Sequence, residues 1–257
     1  MLTGVLENLL TREMTPAERA AVDDYTNELI DKLVEVAANA LNERQPGYLL
    51  RGTGKVEFAI NRRGEMVVDH SMPLLAAVDK QGKLFAVVAN YACHCVSASN
   101  GMMLTSDWAG CAVAELRQAL PDVVGMVTIG CGGDQNPADK GGVEASERQG
   151  KQLADEVLRV LQTKLKPVNG PLQIEFQEIK LPLAELPNEK QWQELSTTKG
   201  IVGYHAQTNL KRLQHGEALT DSVIYPVQTC QFGNDLTMVF LGDEVVVDYA
   251  LLIKNKH

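Results

Sequence analysis

Two stretches of this sequence are too uniformly apolar to be strands with a wet face: residues 84–92, Leu-Phe-Ala-Val-Val-Ala-Asn-Tyr-Ala, and residues 123–129, Val-Val-Gly-Met-Val-Thr-Ile. A half-exposed strand alternates apolar and polar side chains. A run without alternation belongs to a strand covered on both sides, as in sheets sandwiched between layers of helix. Each run leads straight into a polar or glycine-rich segment, Cys93-His94-Cys95 after the first and Gly130-Cys131-Gly132-Gly133-Asp134-Gln135-Asn136-Pro137 after the second. Segments of this kind collect at the edge of a sheet, where loops converge on a rigid scaffold.

The surrounding pattern is helical and stranded in turn. Thr15-Pro16-Ala17-Glu18 supplies a cap residue, a proline at the first helical position and an acid in the first turn. Apolar residues then recur at Val22, Tyr25, Leu29, Leu33, Val36, Ala37 and Leu41, which predicts an amphipathic helix ending near Asn42. Residues 49–63 read as one or two strands broken at Gly52 and Gly54, and residues 74–78 and 84–92 as a hairpin across Asp79-Lys80-Gln81-Gly82. Helices are expected over residues 106–120, 143–165, 188–195, 203–215 and 245–253. Strands are expected over 172–183, 227–232 and 236–241, the last two joined over Gly233-Asn234-Asp235. Hairpins mixed with strand-helix-strand units imply an α/β layered domain with a mixed β-sheet flanked by helices. No repeat, low-complexity stretch or linker marks a boundary, so residues 1–257 read as a single domain, long enough to bury a large core.

Composition removes several function classes. A formal net charge of -9 is the reverse of what a phosphate-backbone partner requires, so no nucleic acid is expected. Cys93, Cys95, Cys111, Cys131 and Cys230 are odd in number and lack CxxC spacing, which disfavours a disulfide framework or a zinc knuckle. Residues 1–6 lack the basic and apolar regions of a signal peptide, and no apolar run is long enough to span a bilayer; the expectation is a soluble chain with no transmembrane segment.

Three clusters remain that can carry chemistry. If strand geometry persists through Cys93-His94-Cys95, the two thiols share one face and the imidazole takes the other, so they do not share a metal. His94 is then either a metal or acid/base group, or a buried histidine with one satisfied hydrogen bond. The loop from Gly130 to Pro137 has neither the ending of a P-loop nor dinucleotide spacing. Its glycines either form a tight turn at positive φ or let the backbone approach a ligand, with amides free for an oxyanion and Asp134 orienting the loop. Glu244, expected to open the last helix, is a cap residue or, paired with His94, one of the nitrogen and oxygen ligands that a catalytic zinc favours. His70, His205, His215 and His257 have no adjacent motif and read as surface residues. Cys131 with His94 makes a minimal thiol and base pair.

Read together, these blocks resemble the neutral/alkaline ceramidase family. Asn61-Arg62-Arg63 resembles its Asn-Arg-Ser block, whose arginine faces the substrate. Val88-Ala89-Asn90-Tyr91-Ala92-Cys93-His94, followed by Leu104-Thr105-Ser106-Asp107-Trp108-Ala109-Gly110, resembles a metal histidine and the Ser-Asp-x-x-Gly helix start behind it. Gly133-Asp134-Gln135-Asn136-Pro137 resembles the loop with the active-site serine, and Gly242-Asp243-Glu244 the block whose glutamate binds zinc.

The resemblance implies a zinc ion held by two histidines, a glutamate and a tyrosine, and cleavage of the amide of ceramide, a lipid substrate. By position, His94 and Glu244 become zinc ligands, Arg62 a substrate contact, and Asp134 and Asn136 the catalytic positions of the loop. Asn136 stands where the family has its serine and can donate its amide to an oxyanion. The family's His-x-His block and tyrosine ligand are expected upstream and downstream of this stretch, so the chain resembles an incomplete piece of a catalytic domain. A leader for secretion or the periplasm would lie upstream as well. The expected function is zinc-dependent hydrolysis of an N-acyl amide by metal-activated water, impaired in a fragment with two ligands. A non-catalytic relative that keeps the fold and a binding cleft is the alternative. A shared zinc requires His94 and Glu244 to lie within roughly 8 Å of each other.

Overall fold

The computed structural model describes residues 10–64, 67–98 and 104–256. Helix α1, Pro16–Asn42, begins where the capping signal predicts: Thr15 accepts from the Glu18 amide, and the Glu18 carboxylate accepts from the Thr15 amide at 2.8 Å. None of its residues is buried, including the apolar series that predicted it. The chain divides into two compact units, residues 1–44 with 178–225, and residues 45–177 with 226–257.

The second unit holds the larger sheet. In chain order it contains β1 Gly47–Lys55, β2 Ala59–Asn61, β3 Ser71–Asp79, β4 Leu84–Tyr91, α2 Asp107–Ala119, β5 Val124–Ile129, β6 Gln135–Pro137, α3 Val143–Leu161 and β7 Lys166–Val168. The five-stranded sheet has the order β5-β4-β3-β1-β7. Strands β4 and β5 run parallel and the other neighbours antiparallel, so the sheet is mixed and the domain is α/β. Strands β2 and β6 form a separate antiparallel pair, Ile60 opposite Asn136.

The β3–β4 turn is fixed by one carboxylate. Asp79 Oδ1 accepts from the amides of Gln81 and Lys83 at 2.9 and 2.8 Å, and Gly82 takes the left-handed φ of 82° that closes the hairpin. Strand β1 runs unbroken through Gly52 and Gly54, against the expected interruption. A Cβ on Gly52 would stand 2.7 Å from the side chains of Val160 and Leu165, so glycine lets the helix layer close onto the strand.

Helices α2 and α3 cover one face of the sheet, where Leu74, Ala76, Val87 and Ala89 pack with Trp108, Leu116, Leu153 and Val157. The other face carries, across all five strands, the row Val168, Leu49, Ala77, Ala86 and Val124. Strand β5, expected to be buried on both sides, is an edge strand with Val124 71% exposed; among the described residues only β4 pairs with it.

An aromatic triad anchors the core. The Phe58, Tyr91 and Trp108 rings meet edge to face at 4.8, 5.3 and 5.8 Å, contacts worth about 0.5–1.5 kcal/mol each beyond the area they bury. The Tyr91 hydroxyl donates to Val56 O at 2.9 Å and accepts from the Ala59 amide at 3.1 Å, which ties the start of β2 to the end of β4. Burial pushes this phenol well above its usual range.

Beyond β7 the chain continues as β8 Leu172–Pro182, α4 Glu189–Ser196, α5 Ile201–Gln214, β9 Ser222–Phe232, β10 Leu236–Leu241 and α6 Val247–Lys256. Strands β8, β9 and β10 make a three-stranded sheet with β9 in the middle. In the first unit, Trp192 of α4 is buried and meets His205 of α5 edge to face at 5.9 Å. His205 and His215 are exposed; His70 is half-buried with Nε2 3.0 Å from Ala59 O. Residues 1–6 and His257 lie outside the described residues. Among the described residues no helix is long and apolar enough to cross a membrane.

Candidate functional site

Strand β4 stops at Tyr91, so strict alternation does not reach the histidine: Cys93 is buried, His94 half-buried and Cys95 exposed. Two hydrogen bonds fix the His94 backbone instead. Its carbonyl accepts from Trp108 Nε1 at 2.9 Å, and its amide donates to Gln135 O at 2.9 Å. Through Trp108 the aromatic core holds the imidazole at the end of the sheet.

The glycine-rich loop crosses beside it. Gly130, Gly132 and Gly133 all lack positive φ, so no left-handed turn requires them. Close packing does. A Cβ on Gly132 would stand 2.9 Å from the Cys93 amide nitrogen, and one on Gly133 would collide with the Glu244 carbonyl. The loop amides are engaged internally: Gly130 N donates to Tyr91 O, Gly132 N to Gly130 O and Gly133 N to Val245 O, at 2.9, 2.7 and 2.8 Å. These amides are therefore not available as the oxyanion donors that the sequence suggested.

Asp134 is 1% exposed and joins three segments. Oδ1 accepts from Gln135 Nε2 at 2.9 Å and from the Val247 amide, the first of α6, at 3.0 Å; Oδ2 accepts from Asn61 Nδ2 at 3.1 Å. Burial pulls its pKa upward, but the hydrogen bonds from Gln135, Val247 and Asn61 together outweigh this and hold it below its ordinary value. The Asp134 carbonyl accepts from the Arg62 amide at 2.8 Å, and Asn61 Oδ1 accepts from the Arg63 amide at 2.9 Å. Asn136 sits half-buried on β6.

Glu244 does not open a helix. It lies in the loop between β10 and α6, after Asp243, which turns the chain at a left-handed φ of 58°. Its carboxylate is exposed, with Oε2 3.6 Å from His94 Nε2 and 3.9 Å from an Arg62 terminal nitrogen. His94, Arg62 and Glu244 thus converge from three separated segments, with Asp134 beneath them.

The donor geometry suits part of a zinc site. Nitrogen and oxygen ligands at about 2.0–2.1 Å on a tetrahedral ion stand about 3.3 Å apart. The separation of His94 Nε2 from Glu244 Oε2 is 3.6 Å. The same nitrogen lies 3.3 Å from Gly133 O, to which it donates when protonated there; with the proton on Nδ1 its lone pair is free. Among the described residues no group of three or more histidine, cysteine, aspartate or glutamate side chains is placed to hold a metal. Burial pushes the Cys131 thiol upward, the reverse of an activated nucleophile.

Trp108, Tyr91, Asn61 and Gln135 support the site without having been singled out as functional. Each acts through a partner distant in sequence, and no local spacing marks such residues. Gln135 Oε1 is buried without a hydrogen-bond partner among the described residues.

No protein-family model matches the sequence, and no curated protein matches it. Solved structures do. The crystal structure of neutral ceramidase from Pseudomonas aeruginosa aligns with 89% of this chain at a TM-score of 0.68 and 15% identity. A structure described as ceramidase complexed with C2 aligns with 82% at a TM-score of 0.60 and 15% identity. The chain has the fold of part of these ceramidase structures and spans 45% and 44% of their lengths.

Proposed function

We propose that this chain carries part of the active site of a zinc-dependent hydrolase of the ceramidase type, one that cleaves an N-acyl amide of a lipid or small molecule. The observation that carries this reading is the approach of His94 Nε2 to within 3.6 Å of Glu244 Oε2 beside Arg62, on a ceramidase-like fold. His94 and Glu244 would hold zinc, with other protein groups completing its ligand set. Bound there, zinc supplies a water that ionises near pH 7.

The chain's own groups have separate tasks. His94 presents Nε2 by keeping its proton on Nδ1, and the Trp108 bond to its carbonyl fixes where the ring stands. Glu244 would offset the positive charge of the metal. Arg62, part-exposed with a terminal nitrogen 3.9 Å from that carboxylate, would be free to contact a substrate oxygen. Asp134 keeps the loop and the start of α6 in register from below, and Asn136 offers an amide N–H to developing negative charge. An asparagine side chain forms no acyl-enzyme, which favours direct attack by water.

Zinc titration against a chromophoric chelator tests the assignment. The chain should take up zinc weakly, and His94→Ala and Glu244→Gln should each abolish that uptake while remaining folded. Equal uptake by all three proteins rejects it. Cleavage of an N-acylated sphingoid base should be slow and lost in the same variants.

A non-catalytic relative that uses the cleft only for binding is the second reading. It is favoured by the lack of a third metal-ligating side chain among the described residues. Binding of the amide that survives chelation, without turnover, would distinguish it.

A further inference from the structure

Helix α6 is held in place more by polar groups than by packing. Among the described residues Val247 is its one buried side chain, and its 10 residues are too few for a helix to persist alone in water. Its first turn is fixed by the Val247 amide, which donates to Asp134 Oδ1 at 3.0 Å. Two turns on, Lys254 Nζ donates to Asp69 Oδ2 and to Ser71 Oγ, the latter at 2.8 Å. Between these points the Ala250 backbone hydrogen-bonds the Cys131 thiol, a weak bond to sulfur.

The Asp69 side chain is only 9% exposed, and its Oδ1 accepts from the Ser71 amide at 3.1 Å. Lys254 supplies the opposite charge that a nearly buried carboxylate needs. Anchors at Val247 and Lys254, about 10 Å apart at the helical rise per residue, set the direction of the axis, whereas one alone leaves a pivot. Both anchors lead to the Arg62 segment. Asp134 also accepts from Asn61, the neighbour of Arg62, and Asp69 lies with Arg62 on the stretch of chain between β2 and β3. Glu244 precedes the first residue of α6 by one short stretch, Val245-Val246. The direction of α6 therefore bears on where Glu244 stands relative to Arg62 and His94.

We propose that Lys254, anchored on Asp69 and Ser71, is a positioning residue for the candidate metal site: it fixes the axis of α6 and, through it, the Glu244 loop beside His94. Lys254 acts through the helix and not by contact with a metal. The metal part of this inference rests on the hydrolase reading above; the hold of Lys254 on the loop does not.

Lys254→Met keeps most of the side-chain stem and removes the charge, and Lys254→Arg restores a cationic donor. Amide hydrogen exchange of the full chain without zinc should show residues 243–249 exchanging at least about tenfold faster in Lys254→Met, with the β3–β4 hairpin unchanged, and near the wild-type rate in Lys254→Arg. Zinc uptake should weaken by about 10–100-fold in Lys254→Met and return to within about threefold in Lys254→Arg, the size of effect expected when a group that orients a metal ligand is lost. Unchanged exchange at residues 243–249 in Lys254→Met overturns the proposal, as does equal zinc uptake by that variant and the wild type. So does exchange that quickens equally throughout the chain, which would make the ion pair a general support. No zinc uptake by the wild type rejects the hydrolase reading instead, and the exchange measurement then decides alone whether Lys254 holds the loop.

Discussion

His94 and Glu244 reach the same point by opposite means. The histidine follows a strand whose last residue is fully buried, and its backbone is clamped on one side by Trp108 and on the other by Gln135. The glutamate hangs from a loop, its side chain 71% exposed, and among the described residues its carboxylate meets the site through long contacts to His94 and Arg62. What holds the Glu244 loop is its neighbours: Val245 O accepts from Gly133 N, and Val247 N donates to Asp134. One partner is therefore held by hydrogen bonds anchored in the packed core, the other by two hydrogen bonds from its loop neighbours to a single turn. Rigidity on one side and freedom on the other suits a pair that must be preorganised yet open to a ligand.

That contrast can be broken from the packed side first. Trp108→Ala removes a fully buried indole from the triad and should cost about 3–5 kcal/mol in chemical denaturation, with the His94 carbonyl left only the weak Cys93 thiol as donor. Trp108→Phe keeps most of the packing and loses the N–H, so its cost should fall to about 1–2 kcal/mol. A larger loss from the Phe variant than from the Ala variant would refute the packing account.

Asp134→Ala strikes the joint between the two sides. It strands the Val247 amide, leaves Asn61 Nδ2 and Gln135 Nε2 with only their second bonds to Val67 O, and should cost about 2–3 kcal/mol in the same assay. The pH dependence follows from its depressed pKa. A carboxylate that ionises more easily when folded contributes stability at pH above its unfolded value of about 3.9, and the contribution fades as pH falls through the folded pKa. Wild type should therefore lose melting temperature on acidification more steeply than Asp134→Asn, and parallel curves would remove Asp134 as the source.

The exposed side should respond least in stability. Glu244→Gln and Arg62→Ala ought each to change unfolding free energy by no more than about 0.5 kcal/mol, because exposed pairs at this distance contribute little. Under the proposed function Glu244→Gln nevertheless abolishes zinc uptake. A large stability loss from it would mean that the loop is structural after all.

Much of the fold was legible because its signals are local. Thr15, Pro16 and Glu18 announced α1, and Asp79 and Gly82 announced the β3–β4 turn, since capping and turn chemistry act within a few residues. The pairing of β2 with β6 was not visible. Strands of three residues are too short for a period, and their register depends on Tyr91 and Asp134, which lie elsewhere in sequence. Gly52 and Gly54 were misread as breaks because glycine marks both turns and close packing, and only the position of α3 tells which. The same ambiguity explains Gly133, whose reason is the Glu244 backbone lying against it. Glu244 was expected to begin a helix, whereas α6 begins at Val247, with its first amide taken by Asp134.

The sequence alone determined the alternation of strand and helix, the mixed α/β class, and the candidate polar blocks, because periodicity and composition are written within short windows. Tertiary structure alone decided that an imidazole, a guanidinium and a carboxylate from three such blocks would meet, and that the amides of Gly130, Gly132 and Gly133 would be engaged. The physical reason is that these outcomes depend on distances between residues far apart along the chain, which packing and hydrogen bonding set and no local pattern encodes.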